Sequence, residues 1–294
     1  MNKSLRLLLL LVAGVFLNSC NSMFSEDGCI YYGYVHAQHE FHSTENTPKP
    51  SHSQMNMLVF PLDGQGVSEY DNMIVPFDEK GEAIQKLHIG NYSFLIYNKG
   101  NNILKLGNGI EEAELNTPVH DGKILSEQHY IYSTYSDGKV LTDDTLRIAC
   151  NSTVMIQRII FNIQVTNVPS SIIFNDISAE LDGVTTSRFI KSKKKGNGFA
   201  TLEFTATPGT AKNLFAKEAL IFGINNGISN MIRLQLNGTI DYSADVDLSE
   251  ILKDFNTDGI QVDITVRLSP STGIATASVE AWHDIEWGDI PVIN

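Results

Sequence analysis

A two-residue hydrophobic alternation, broken at short intervals by turn residues, constrains this chain more than any other feature. From Tyr31 to Phe41 one parity reads Tyr31, Gly33, Val35, Ala37, His39, Phe41, and the other Tyr32, Tyr34, His36, Gln38, Glu40. Successive side chains of a strand point to opposite faces, so this pattern predicts a half-buried strand. Similar runs follow at Met55–Leu62, Val67–Val75, Ala83–Ile89, Tyr92–Asn98, Tyr130–Tyr135 and Thr145–Ile148. A second series covers Val154–Val165, Ile172–Leu181, Phe199–Ala206, Ala219–Ile224, Met231–Leu236, Gly238–Tyr242, Ile260–Leu268 and Ala275–Trp282. Gly90-Asn91, Asp182-Gly183, Pro208-Gly209, Asn225-Asn226-Gly227 and Ser269-Pro270 separate them with turn-forming residues. The pattern predicts an all-β chain of antiparallel sandwiches. One short helix is expected at Asp247–Phe255, burying Leu248, Ile251, Leu252 and Phe255. Glu111–Leu115 reads as a helical turn. A chain of 294 residues is long enough for two cores. The expected boundary lies near Leu146–Thr153, which divides the chain into domains over 30–148 and 149–294.

The N-terminus carries a different signal. Lys3 and Arg6 precede an apolar run from Leu7 to Leu17, closed by Leu17-Asn18-Ser19-Cys20. This is a secretory signal, too short to span a bilayer as a mature helix. A cysteine at the cleavage point resembles the lipobox of bacterial lipoproteins, with Asn18 departing from the usual small residue. The resemblance implies a signal peptide over 1–19, cleavage before Cys20, and thioether lipidation and N-acylation of Cys20. A spacer over 20–29 would follow, outside the cytoplasm. Loss of 1–19 removes Lys3 and Arg6 and no acid, so the formal charge of −13 becomes −15. Such a surface repels nucleic acid and anionic headgroups, so membrane attachment is expected from lipid and not from a basic patch. The basic cluster Lys191, Lys193, Lys194 and Lys195, followed by Gly196-Asn197-Gly198, reads as a solvated hairpin tip. Cys29 and Cys150 remain as thiols in an oxidising compartment, where they could bridge if their Cα atoms approach within about 7 Å.

Constellations for chemistry are weak. His36 and His42 share one strand face and His39 takes the other, so the three do not converge on a metal. Asp254-Phe255-Asn256-Thr257-Asp258-Gly259 matches the first half of a calcium loop, but Thr265 stands where the bidentate carboxylate belongs. Asp245, Asp247 and Glu250 form an acidic patch that the helix start explains. There is no Gly-x-Ser-x-Gly elbow and no phosphate-cradling glycine loop. The expectation is a non-enzymatic protein without cofactor or metal.

The lipobox, the short acidic spacer and two all-β halves resemble the fimbrillin-type lipoproteins of Bacteroidales, especially their fimbrial anchor subunits. Leu87-His88-Ile89-Gly90-Asn91-Tyr92-Ser93-Phe94-Leu95-Ile96-Tyr97-Asn98 is similar to the family's segment in which a glycine turn leads into a strand ending Tyr-Asn. Met57-Leu58-Val59-Phe60-Pro61 is similar to its preceding strand ending Phe-Pro. The resemblance implies two transthyretin-like sandwiches in tandem and a cell-surface, outer-membrane protein whose partner is a fimbrial shaft subunit. In that family shaft subunits join by strand addition, after an arginine-specific protease cuts the first domain of the precursor. Here no arginine lies between Cys20 and Leu146; the first is Arg147. The chain would therefore keep its lipid, as an anchor does. The competing reading is a surface glycan-binding lipoprotein of a nutrient-uptake system. It needs an exposed aromatic platform, and the only tryptophans are Trp282 and Trp287. The last strand, with Ile274, Val279 and Trp282, and then Trp287, is the expected partner contact. Trp282 is expected to complete the core and Trp287 to meet the partner.

Overall fold

The computed structural model describes residues 31–42, 47–62, 73–107, 109–125 and 128–287. The first half contributes β1 (Tyr32–Phe41), β2 (Asn56–Pro61), β3 (Met73–Pro76), β4 (Glu82–His88) and β5 (Gly90–Tyr97). Three short strands and a stub follow: β6 (Ile103–Lys105), β7 (Glu114–Asn116), β8 (Val119–His120) and β9 (Lys123–Ile124). Then come β10 (Tyr132–Val140) and β11 (Thr145–Val154). The second half holds β12 (Gln157–Thr166), β13 (Phe174–Thr185), β14 (Ser187–Phe189), β15 (Phe199–Pro208), β16 (Leu214–Ile221) and β17 (Met231–Gly238). It ends with β18 (Tyr242–Asp247), helix α1 (Ser249–Leu252), β19 (Gly259–Ser269) and β20 (Ile274–Ile285).

The two halves repeat one topology. In the first, β3-β2-β5-β10 and β11-β1-β4 form two layers, joined where Tyr132 and Ser133 pair with Val154 and Thr153. In the second, β15-β13-β17-β18 and β19-β12-β16 take the same places, but the layers join at the opposite margin, where Thr207 and Pro208 pair with Ala216 and Phe215. β20 is an eighth strand, added beside β19. The pairing is antiparallel except in three places. β1 runs parallel to β11, β12 runs parallel to β19, and a two-residue contact joins β9 to β15. A parallel pair needs a long crossover, so its partners lie far apart in sequence and local alternation does not show it.

Each sandwich closes on its own core. Val35, Ala37, Met57, Val59, Leu87, Phe94 and Ile96 are among the buried residues of the first. Ile159, Phe161, Ile163, Leu202, Leu234, Val262 and Val266 are among those of the second. Phe161 stacks on Phe204 at 4.9 Å between ring centroids. Burial of each such side chain contributes about 1.5–3 kcal/mol.

The halves are interlocked, not strung together. β14 of the second half pairs with β7 of the first, and β9 of the first half extends β15 of the second. Ile190, Phe222 and Trp287 lie in the first core, and Ile124 in the second. The 148/149 boundary read from the sequence falls inside β11, which stays with the first sandwich through Val154. The lysine cluster is also not a solvated tip. The Lys193 ammonium donates to the carbonyls of Thr153 at 3.3 Å and Val154 at 3.4 Å, and to the Thr153 hydroxyl. Lys195 donates to the Ile224 carbonyl at 2.9 Å, and Lys191 pairs with Glu111 at 2.6 Å. Backbone carbonyls and the Glu111 carboxylate where the halves meet take up these charges, so the hairpin works as a clamp.

Three other local expectations change. Asp182-Gly183 does not end a strand: β13 runs through it by a bulge, with Gly183 at φ +78°. Glycine tolerates that left-handed backbone at no steric cost. Gly238–Tyr242 is the turn before β18, where the Gly238 N–H reaches the Asp241 carboxylate at 3.1 Å. The helix covers only Ser249–Leu252, because β18 extends to Asp247. Leu248, Leu252 and Phe255 are buried as the spacing implied.

Candidate functional site

β20 forms a margin of the second sandwich. It pairs with β19 along its length, and no described strand pairs with its other side. Ala275, Ala277 and Val279 face inward, half-buried against the core. Their small size fits the position of β18, which lies alongside β20 across the mouth of the sandwich. Ile274, Thr276 and Ser278 face outward and are exposed.

A bulge then changes the pattern. Asp263 of β19 faces Ala281 while the next residue, Ile264, faces Val279, so Glu280 is the extra residue. Beyond it the parity is reversed. Trp282 comes opposite Val262, and Asp284 opposite Ile260, both core residues of β19. Trp282 nevertheless overhangs the rim and is 57% exposed, whereas Trp287 is 5% exposed and sits in the first core. The burial expected of the two tryptophans is therefore reversed.

Trp287 is held by a polar seam behind the strand. The Arg158 guanidinium lies 5.1 Å from its ring centroid, and Tyr130 meets it edge-on at 5.7 Å. Arg158 Nη2 donates to the Glu286 carbonyl at 2.6 Å, and Arg158 Nη1 faces Glu218 at 4.0 Å. The Tyr130 hydroxyl donates to Glu218 at 3.2 Å, and the Trp287 N–H to the Asp258 carboxylate at 3.4 Å. Burial, reinforced by Glu218, pushes the Tyr130 pKa up, so the phenol stays a neutral donor. The seam escaped the sequence reading, although one sign of it was present. Arg158 is the only charged residue within the apolar run 154–165. Because it is 3% exposed, it had to have buried partners.

Of the other sequence-derived residues, those described are not brought together. Cys20 and Cys29 lie outside the described residues. Cys150 is 2% exposed in the first core, and burial pushes its thiol up to about 12. It is therefore a protonated, unreactive thiol at neutral pH. His36 lies outside the first sandwich, with Arg147 at 3.0 Å and Glu82 at 3.9 Å. His39 is 1% exposed inside it, its Nε2 bonded to Ser152 at 2.9 Å and its Nδ1 to His52 at 3.1 Å. Burial, then the charge of His52, lowers the His39 pKa to about 4. Asp247 accepts from the Ser249 N–H at 2.8 Å, and Ser249 holds its carboxyl below the usual range. Among the described residues, no group of three or more His, Cys, Asp or Glu is placed to hold a metal ion.

No family model matches the chain, and no curated protein matches it. Solved structures do. A candidate adhesin of Bacteroides ovatus superposes with a TM-score of 0.58 at 13% identity, over 85% of this chain and 93% of that one. A candidate adhesin of Bacteroides thetaiotaomicron gives 0.52 at 12%, over 86% and 97%. The fimbrial anchor protein Mfa2 of Porphyromonas gingivalis gives 0.51 at 13%, over 86% and 99%. This chain is an all-β protein with the same fold as these three along nearly their whole length.

Proposed function

We propose that this chain is a lipid-anchored cell-surface structural protein that anchors a fimbria, or helps to assemble one, by β-strand addition with a fimbrial shaft subunit. The observation that carries the reading is β20. It is an eighth strand beyond a topology already complete in seven, and its outer edge pairs with no described strand. The unpaired N–H and C=O groups of such an edge accept another chain's strand. Exposed Ile274 and Trp282 would add side-chain contacts to that backbone pairing.

The anchor role has separate support. β1 lies between β11 and β4, and residues 20–146 offer an arginine-specific protease no site by which to release it. The names of the structural neighbours, a fimbrial anchor protein and two candidate adhesins, agree with this reading. The protein is proposed to be structural and not catalytic. The glycan-binding alternative finds less support. A groove of about 600 Å³ over β13, β17 and β18 is lined by Glu180, Arg233, Gln235 and Asp245, and its one aromatic lining residue, Phe204, is 6% exposed.

The test is recovery of fimbrial subunits with the chain from cell envelopes. Ile274→Lys with Trp282→Ser should abolish recovery and leave thermal unfolding unchanged. Full recovery with the double variant removes β20 as the contact.

A further inference from the structure

The outer face of β1 and β4 gathers exposed aromatic and aliphatic side chains where the chain arrives from Cys20. The ladder places Tyr32 opposite His88, Tyr34 opposite Lys86 and His36 opposite Ile84, all on one face. Tyr34 is 44% exposed and Ile84 59%. Lys86 lies 4.2 Å over the Tyr32 ring, which packs on His88 at 4.6 Å. An exposed apolar patch of this kind marks an interaction surface.

The occupant follows from where the chain leads. Ten residues, 21–30, separate Cys20 from Tyr31. Fully extended they reach about 35 Å. A lipid on Cys20 therefore confines the start of β1 to the neighbourhood of a bilayer. Tyrosine, with an apolar ring and a polar tip, suits the headgroup zone, and a lysine beside it can reach a phosphate. The acidic net charge works against attachment by electrostatics alone, so contact through rings and aliphatic groups is the favoured route. We infer that this face of the first sandwich rests on the phospholipid interface, with Tyr34 and Ile84 in the headgroup layer and Lys86 at its phosphates. The inference rests on the lipid-anchor reading and adds an orientation to it.

The experiment uses the full-length lipidated chain in vesicles of phosphatidylethanolamine and phosphatidylglycerol. In a Cys29→Ser background, Ile84→Cys carries a polarity-sensitive fluorophore. A second variant, Ile173→Cys, labels a residue in the other sandwich that is 65% exposed. The Ile84 label should shift to the blue and be quenched several-fold more by spin-labelled lipid than the Ile173 label. Adding Tyr34→Ser should reduce that quenching several-fold. Flotation of the protein with the vesicles is read in parallel. Protein that floats with a water-like Ile84 label overturns this inference alone. Protein that does not float overturns the lipid anchor and the inference with it. A shift at Ile84 caused by soluble oligosaccharide without vesicles assigns the face to another occupant and also overturns it.

Discussion

The Arg158 guanidinium packs over the ring of Trp287, 129 positions further along the chain, and bonds to the carbonyl of Glu286 beside it. The end of the last strand is thereby fastened to the first strand of the second sandwich, with Tyr130 of the first half against the same indole.

Trp287→Ala is accordingly expected to cost about 3–5 kcal/mol, the range for a large buried aromatic. Trp282→Ala should change stability by less than about 1 kcal/mol, since its ring is mostly in water. Urea unfolding of both variants gives the comparison, and similar midpoints would contradict the seam. Deleting residues 283–294 removes Ile285 and Trp287 together, so that truncation is expected to destabilise the fold.

Lys193→Ala should destabilise by about 1–3 kcal/mol, because it leaves the Thr153 and Val154 carbonyls without their charged donor. The neighbouring exposed Lys194→Ala serves as the control, expected within about 0.5 kcal/mol of the parent. Equal effects of the two would show that the hairpin is not a clamp.

His39 sets a pH dependence. Its pKa is lowered in the folded protein from 6.5 to about 4, so between those values the unfolded chain binds the extra proton. Stability therefore falls as pH drops from about 6.5 towards 4 and is unaffected by this group above that window. The loss is on the order of 3 kcal/mol when complete. Denaturant unfolding across this range should show the slope in the parent chain and a much flatter profile in His39→Leu. A parent profile that is flat from pH 7 to about pH 4 would refute the assignment.

The N-terminus of protein recovered from cells should be an acylated Cys20, and Cys20→Ala should leave the membrane fraction. Mass spectrometry of the N-terminal peptide decides this. A terminus anywhere within 21–146 would remove the anchor argument.

Strand positions were legible where alternation faces one core. Tyr32–Phe41 and Gln157–Thr166 lie where Val35, Ala37, Ile159 and Phe161 said they should. The turn at Asp182-Gly183 was misread because glycine serves a bulge as readily as a chain reversal. The tryptophans were misassigned for a different reason. Trp282 stands at the rim, where even a core-facing register leaves it exposed, and Trp287 lies past the end of β20 in the core of the other half, which no local pattern announces. Burial of Lys193 and Arg158 depends on the other half of the molecule, which a local window cannot see. The repeated topology was equally hidden, because β1 and β11 are brought together only by the fold.

The two parallel pairs decide how the protein bears a pull. With a fibre attached at β20 and a tether at Cys20, as proposed, the chain would be loaded from opposite ends. Tension then acts on the start of β1 and, through β12, on the end of β11, its parallel neighbour. The same geometry recurs between the start of β12 and the end of β19. Each pair is drawn lengthwise, so its ladder bonds resist together and do not unzip singly as in a hairpin pulled open at its ends. Two shear joints in series would let the molecule yield slowly under force, and under load that rate governs survival.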